Sequence, residues 1–209
     1  MSNLSLDDLQ LQQHIPGQIT IGLAGGSGAG KSTIAAAMVD ALSSVSVEVR
    51  GLDRFFKPAD ELPRYYSDHL AKECADYNRP DSLLVDKMVA DCSTPAEADV
   101  VILDGHMVLC YPEMRQLLDI ICFVDAGIEA MLERRTERNL AANYGGDRDT
   151  ILHYNRECVV PGYERYILPS RQHADVIIPN GSSATAERDA LIQALCHRIV
   201  TAVTELSGS

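Results

Sequence analysis

A glycine-rich loop near the N-terminus constrains the fold of this chain more than any other feature. An apolar run at residues 18–24 precedes the loop, and an alanine-rich segment with apolar residues at helical spacing follows it. The loop itself consists of Gly25, Gly26, Ser27, Gly28, Ala29, Gly30, Lys31, Ser32 and Thr33. This is the Gly-x-x-x-x-Gly-Lys-Ser pattern between a strand and a helix, in which backbone N–H groups and the helix N-terminus bind phosphate groups. The alternative is a flexible Gly/Ser-rich turn that matches the pattern by chance.

Beyond the loop, apolar runs alternate with helical patterns. Strands are predicted at 18–24, 45–52, 100–103, 120–124 and 176–178, and helices after the loop and at 83–91, 128–142, 148–166 and 184–206. Residues 54–82 are predicted as loop and short helix, and residues 4–13 as a short amphipathic helix outside the main fold. The alternation predicts an α/β fold of three αβα layers, with a mainly parallel five-stranded sheet in the middle.

Length and charge narrow the classes of protein to be considered. The 209 residues fit one domain, residues 18–209, after an N-terminal extension of residues 1–17. The net charge of −12 makes a nucleic-acid partner unexpected. No apolar run has the length of a membrane span, and the first 14 residues lack the Lys and Arg of a signal or transit peptide. We therefore expect a cytoplasmic protein whose six scattered cysteines are reduced.

Acidic residues at the predicted strand ends are the candidates for metal binding and proton transfer. Ligands of such folds bind beyond the carboxyl ends of the strands, where Asp53 and Asp104 lie. Asp104 is predicted to hold Mg²⁺ together with the Ser32 hydroxyl, while Lys31 reaches the β- and γ-phosphates. Asp53 is predicted to orient an acceptor hydroxyl and take its proton. The alternatives are turn-forming roles for Asp53 and Asp104.

Two arginines continue the apolar stripe of the helix predicted at 128–142. Arg135 follows Ile128 and Met131 on that stripe, and Arg138 lies almost one turn further on. Inward arginines near a phosphate site suggest a clamp on the transferring phosphoryl oxygens, on a lid of about residues 134–150. The alternative is a surface ion-pair network with Glu129, Glu133 and Glu137, in which Arg134 is also expected.

Three further groups of residues carry weaker signals. Tyr65, Tyr66 and Tyr77 are candidates for lining a substrate pocket, although loop tyrosines often only pack. The histidines at 69, 106, 153 and 173 have no metal-ligand spacing, so we do not expect them to bind a metal. Arg171 precedes the last strand and is either an adenine contact or a solvated loop residue.

Together these stretches resemble the uridine kinase and phosphoribulokinase-type family of P-loop kinases. The resemblance runs from about residue 18 to 181 and rests on the glycine-rich loop and on the segments 53–57, 77–82, 100–105, 134–138 and 168–179. It implies ATP and Mg²⁺ as cofactors, Asp53 as catalytic base and Mg²⁺ partner, Asp104 as second acidic Mg²⁺ residue, and Arg135 and Arg138 as lid arginines. The ribose-holding Asp of the nucleoside kinases corresponds to Asn78, which we expect near the substrate with Tyr77.

The departures from the family concern the acceptor. Asn78 lacks the charge of Asp, and the segment between Leu83 and Val100 is too short for the base-binding hairpin of a uridine kinase. The second pair of lid arginines corresponds to residues 143–146, with Arg148 as the nearby substitute. Phosphoryl transfer is therefore a firmer prediction than any particular acceptor.

The predicted function is transfer of the γ-phosphate of ATP to a hydroxyl of a small molecule, a nucleoside such as uridine or cytidine. The alternatives are a sugar, sugar phosphate or pantothenate-like acceptor, or a non-catalytic nucleotide-binding protein. A GTP-dependent switch would need an Asn-Lys-x-Asp stretch, which the sequence lacks. The apolar residues of the last predicted helix, Leu191, Leu195, Ile199 and Val203, pack either within the fold or against a second subunit of a homo-oligomer.

Overall fold

The computed structural model describes residues 13–207 of the chain. Apart from Gln13, the helix predicted over residues 4–13 lies outside this range. No helix within the described range has both the length and the apolar character needed to cross a bilayer.

A parallel sheet forms the centre of the fold. Its five strands lie in the order β2-β5-β1-β6-β7, where β1 is Ile19–Ala24, β2 Val47–Gly51, β5 Val100–Asp104, β6 Ile120–Asp125 and β7 Val176–Pro179. Every position of β1 is buried, including neighbours that point to opposite faces, so both faces of the sheet are covered. The predicted fold class is thus confirmed, and the carboxyl ends of β1, β2, β5 and β6 meet at one edge.

The helices that cover the sheet follow the predicted pattern closely. They are α1 (Lys31–Ala41), α2 (Val85–Cys92), the short α3 (Pro112–Arg115), α4 (Ile128–Ala141) and α8 (Thr185–Ser207). The alanines of α1 allow it to lie close to the sheet, and α1 and α8 pack against each other. Within α8 the apolar residues Leu195 and Ile199 are buried in the core of the same chain.

A β-hairpin occupies part of the region that was predicted as loop and short helix. Strands β3 (Arg64–Ser67) and β4 (Lys72–Ala75) pair antiparallel, so the prediction for residues 54–82 was wrong here. Four residues are too few to display a strand period, and contacts with distant residues support the hairpin. Ser67 Oγ donates a hydrogen bond to Glu157 Oε2 (2.8 Å). The predicted helical part is present as two 3₁₀ turns, Leu52–Phe55 and Pro80–Ser82.

The predicted helix at 148–166 is longer than expected and changes its hydrogen bonding along its length. It begins as α5 (Arg148–Tyr154), capped by Asp147, whose side chain accepts a hydrogen bond from Thr150 N. Two π-helical stretches, Asn155–Val159 and Tyr163–Ile167, alternate with the short turns α6 (Val160–Gly162) and α7 (Leu168–Ser170). The two short turns contain Pro161 and Pro169, which cannot donate hydrogen bonds of the regular helix.

Candidate active site

The glycine-rich loop is curled tightly around its own backbone. Gly25, Gly28 and Gly30 all have positive φ, with +88° at Gly28. A Cβ atom at Gly28 would lie 2.1 Å from the carbonyl oxygen of Met131 in α4. Only glycine therefore allows both the left-handed backbone and this close approach.

Lys31 lies over the loop and contacts its carbonyl groups. Its Nζ donates hydrogen bonds to the carbonyl oxygens of Gly25 (3.1 Å) and Gly26 (3.2 Å). Burial lowers the pKa of Lys31, while the nearby carboxylates of Asp104 and Asp53 oppose this shift. The ammonium group is thus held where the loop curves, within reach of the carboxylates at the sheet edge.

Asn180 fastens the loop to the rest of the fold. This residue directly follows β7, and its side-chain Nδ2 donates a hydrogen bond to Ala29 O (2.6 Å). Its Oδ1 accepts a hydrogen bond from Arg188 in α8 (3.0 Å), and its carbonyl oxygen accepts one from Arg134 in α4 (3.1 Å). One asparagine therefore connects the loop with two helices, and Arg134 has a defined partner outside the cavity.

Asp104 and Ser32 meet at the end of the central strands. Ser32 Oγ donates a hydrogen bond to Asp104 Oδ2 (2.8 Å). Strand β5 ends at Asp104 as predicted, but β2 ends at Gly51, before the predicted end at Leu52. Asp53 consequently lies in the 3₁₀ turn that follows β2. The three side chains offer only oxygen atoms, which are the ligands that Mg²⁺ prefers, so the donor set fits this ion.

Asp53 projects into open space beside His106. Its side chain is 80% exposed, and its Oδ1 lies 3.7 Å from His106 Nδ1, which is an electrostatic contact rather than a hydrogen bond. This histidine is the main cause that lowers the pKa of Asp53, followed by the positive charges of Lys31 and Arg138. Asp53 is therefore held as a carboxylate.

Arg135 of α4 takes the inward position that its spacing predicts, whereas Arg138 is exposed and reaches the glycine-rich loop. Arg135 is buried, donates a hydrogen bond to Asn155 Oδ1 and lies 5.3 Å from the centre of the Tyr154 ring. Burial also lowers the pKa of Arg135. Arg138 Nη2 donates to Ser27 Oγ in the loop (3.2 Å).

One glutamate of the surface ion-pair network that was the alternative prediction pairs with an arginine outside α4. Glu137 accepts a hydrogen bond from Arg148 (2.7 Å), and both side chains are exposed. Arg135 and Arg138 are thus not part of this ion pair.

A cavity of about 760 Å³ runs from the loop to the hairpin. At one end it is lined by Ser27, Lys31, Ser32, Asp53, Asp104, Arg135 and Arg138. At the other end it is lined by aromatic and amide side chains, namely Phe56, Tyr65, Tyr77, Asn78, Asn139 and Tyr154. The cavity therefore has a charged end, which includes Asp53, and an aromatic end.

The aromatic end is held together by Tyr154. Its hydroxyl accepts hydrogen bonds from Asn78 Nδ2 (3.0 Å) and Tyr77 N (3.3 Å), and its ring meets that of Tyr65 edge-on at 5.9 Å. Asn78 is buried, yet no donor among residues 13–207 bonds its Oδ1. A cavity-lining acceptor is thus available to a ligand. Tyr66, the third predicted pocket tyrosine, is 58% exposed and is not part of the cavity wall.

Arg171 lies apart from the cavity. Its Nη2 pairs with Asp125 Oδ2 at the end of β6 (3.1 Å). The predicted contact with adenine stays a prediction, but this ion pair places Arg171 at the carboxyl edge of the sheet, near the start of α4.

Several cavity residues were missed from the sequence. His106 comes two residues after the strand-end Asp104, and this position was the one available signal. Tyr154 lies on a helix whose contact with the hairpin no sequence spacing reveals. His69 and His153 were judged to lack ligand spacing, but the fold stacks their rings 3.9 Å apart beside Asp149.

The glycine-rich loop, the oxygen donors beside it and the arginines of α4 are the features to be compared with known proteins. A family model described as the phosphoribulokinase / uridine kinase family matches residues 66–187. The chain belongs to this family. The resemblance predicted from the motifs is confirmed, and membership makes the chain a phosphotransferase that acts on a hydroxyl acceptor and implies the use of ATP.

Individual relatives extend the match along the chain. Uridine-cytidine kinase B of Dictyostelium discoideum is 27% identical over 201 residues, which cover 86% of this chain and 82% of that protein. Uridine-cytidine kinase A of the same organism is 30% identical over 182 residues, but the match covers 78% of this chain and only 36% of that longer protein. A shikimate kinase structure from Bacteroides thetaiotaomicron has a TM-score of 0.53 at 18% identity and covers 86% of this chain and 97% of its own. At that identity the likeness concerns the fold alone.

Proposed function

We propose that this kinase transfers the γ-phosphate of ATP to a hydroxyl group of a ribonucleoside, with uridine and cytidine as the first candidates. The observation that carries the proposal is that one cavity is lined both by the glycine-rich loop with Asp53 and by a group of aromatic side chains. Planar aromatic side chains suit a nucleobase, since aromatic rings interact favourably with one another. The names of the relatives, uridine-cytidine kinases, support the same class of acceptor.

The charged end would hold the triphosphate. In this proposal the loop N–H groups and Lys31 bind the β- and γ-phosphates, so Lys31 exchanges its carbonyl partners for phosphate oxygens. Ser32, Asp104 and Asp53 would hold Mg²⁺, which neutralises phosphate charge when it is bound. Arg138, already bonded to the loop at Ser27, is positioned to contact the transferring phosphoryl oxygens.

Asp53 is the proposed catalytic base. Its lowered pKa keeps it ionised near neutral pH, so it can orient the acceptor hydroxyl and take the proton as the bond to phosphorus forms. Asn78 Oδ1 is proposed to accept a hydrogen bond from a ribose hydroxyl, in place of the family's carboxylate. Tyr77, whose ring meets Phe56 edge-on at 5.1 Å, is proposed to flank the acceptor.

We further propose that residues of about 134–150 form a lid on a single kinase domain of residues 18–209. The segment between α4 and α5 is exposed and contains positive φ angles at Asn143, Gly145 and Gly146. Such backbone suits a turn that changes shape around a ligand. Closure would exclude water from the γ-phosphate and limit wasteful hydrolysis.

An ADP-release assay with ATP, Mg²⁺ and a panel of acceptors tests the proposal. The panel contains ribonucleosides, sugars, sugar phosphates and pantothenate. We expect acceptor-dependent turnover with uridine or cytidine, and Asp53→Asn should lower kcat by about 100- to 10,000-fold, the usual contribution of a general base.

Asp60→Asn is the matched control, because Asp60 is an exposed aspartate in the loop after β2 and does not line the cavity. Turnover with a sugar or pantothenate alone would keep the kinase but reject the nucleoside. Full activity of Asp53→Asn would reject the role of Asp53.

A further inference from the structure

His69, Asp149 and His153 form a cluster at the wall of the cavity that the proposed phosphoryl transfer does not use. His69 lies in the turn between β3 and β4, while Asp149 and His153 lie on α5. Asp149 and His153 are four residues apart, so both face the same side of the helix. The cluster is thus contributed by two elements that pack against each other.

The three side chains converge without bonding to one another. Asp149 Oδ2 lies 3.6 Å from His69 Nε2, and Asp149 Oδ1 lies 3.8 Å from His153 Nε2. Both distances exceed those of hydrogen bonds. The imidazole rings are nearly parallel, at 8° and 3.9 Å between their centres. A ring nitrogen of each histidine therefore lies beside the same carboxylate, while the stacked rings keep their planes parallel.

This geometry matches a coordination site in chemistry and nearly in size. The three ligand atoms all lie within 4.8 Å of one another. Zinc–ligand bonds of about 2.0 Å in a tetrahedron place ligand atoms about 3.3 Å apart. Binding of one ion by both histidines would need their side chains to rotate until the two ring planes converge, and the three side chains, which are 24%, 31% and 70% exposed, have space to do so.

The backbone around the cluster is already fixed. Glu157 accepts hydrogen bonds from Ser67 Oγ (2.8 Å) and from the backbone N of His69 (3.3 Å). Ser67 Oγ also accepts a hydrogen bond from Leu70 N (3.2 Å). The hairpin turn is thus tied to the helix that carries Asp149 and His153, so the ligands are held near one another before an ion binds.

We propose that His69, Asp149 and His153 bind one divalent transition-metal ion of the Zn²⁺ class. Two imidazoles and one carboxylate suit Zn²⁺ and similar ions, whereas Mg²⁺ selects sites of oxygen atoms alone. Because His69 and His153 line the cavity, the bound ion fastens the hairpin to α5 and fixes that wall of the acceptor region. Three protein ligands leave a tetrahedral ion one position for water or a substrate group.

Calorimetric titration of the full chain with Zn²⁺, in a large excess of Mg²⁺ to fill the site at Ser32 and Asp104, tests the proposal. The variants are His69→Gln, His153→Gln and Asp149→Asn. The control is His197→Gln, because His197 is exposed on α8, away from the cluster.

We expect one Zn²⁺ per chain for the wild type and the control. Each of the three ligand variants should lose at least about 10- to 100-fold in Zn²⁺ affinity. That is the usual loss when a residue that only supports a metal ligand is removed, and removing a ligand itself should cost no less. Should a histidine variant not fold, Asp149→Asn keeps the test decisive, since the Asp149 side chain is 70% exposed. If the wild type did not bind Zn²⁺, the proposed site would be overturned. It would also be overturned if all three variants bound Zn²⁺ as the wild type does, and the ion would then be assigned to other groups such as cysteines.

Hydrogen exchange measures the fastening directly and does not depend on turnover. Zn²⁺ should slow exchange of the amides of residues 64–75 in the wild type and in His197→Gln, but not in Asp149→Asn. Equal exchange with and without Zn²⁺ in the wild type would overturn the proposed fastening of the hairpin.

Discussion

The charged end and the aromatic end of the cavity, which are the proposed phosphate end and acceptor end, are built in different ways. The phosphate end is built around one uninterrupted stretch, residues 25–33, which is bonded to itself through Lys31 and to which β5, α4 and the turn after β2 each add side chains. The acceptor end is assembled from the hairpin, from Tyr77 and Asn78, and from α5 with its π-helical continuation. The shape of the loop at the phosphate end therefore depends on local backbone geometry, whereas the shape of the acceptor end depends on contacts between distant segments. Changes at one end should leave the other largely intact.

Of three substitutions that compare the two ends, Gly28→Ala should have the largest effect, and this effect should fall on the phosphate end. The new Cβ would lie 2.1 Å from Met131 O at a φ of +88°, so the loop must move. A misplacement of about 1 Å near reacting groups costs about 100-fold, and we expect that loss in kcat/KM for ATP.

Gly127→Ala is the control, because a Cβ there meets nothing within 4 Å and φ is −57°. Its kinetics should remain those of the wild type. If Gly28→Ala also retained wild-type turnover, the loop would not be the rigid half of the site.

Asn78→Ala should affect the acceptor end alone. Removing the proposed hydrogen bond to the acceptor should raise the KM for the ribonucleoside about fivefold, since a hydrogen bond contributes about 1 kcal/mol. The KM for ATP, measured in the same steady-state experiments, serves as the internal control and should not change. A parallel rise in both constants would contradict the separation of the two ends.

Tyr154→Phe should have the smallest effect. It removes the hydroxyl that accepts hydrogen bonds from Asn78 and Tyr77, and we expect a loss of about 1 kcal/mol in the free energy of unfolding. Thermal unfolding would register this as a fall in Tm of about 2–4 °C for a chain of this size.

Tyr66→Phe is the matched comparison, since Tyr66 is 58% exposed. This variant should have the same Tm as the wild type. If the two variants were equally stable, Tyr154 would not hold the acceptor wall together.

The same difference explains what could be predicted from the sequence. The strand, loop and α1 were predictable because their signals are contiguous, and Arg135 was predictable because helical spacing alone directs it inward. The strand end at Asp104 followed from a continuous apolar run, but the end of β2 was misplaced because the 3₁₀ turn continues with the apolar Leu52.

The acceptor wall could not be predicted for physical reasons. Strands of four residues are too short to show alternation, so the hairpin left no signal, and its stability comes from contacts such as Ser67 with Glu157. Asn155, at the start of the first π-helical stretch, bonds Arg135 of α4, a contact between distant segments that exists only in the folded chain. The pairing of His69 with His153 likewise exists only after the hairpin docks on α5.

The bond between Arg134 and Asn180 turns α4 into a lever. Its fulcrum lies at Asn180, which also anchors the loop at Ala29 and meets α8 through Arg188. Arg138 lies four residues further along the helix than Arg134, whose side chain meets that fulcrum, and about 6 Å from Arg134 along the helix axis at the usual rise per residue. Any tilt of α4 would therefore sweep Arg138 and the tip of the proposed lid through a longer arc than it moves the anchored end. Because Asn180 is also bonded to Arg188, a movement of α4 would be passed on to α8 through this asparagine.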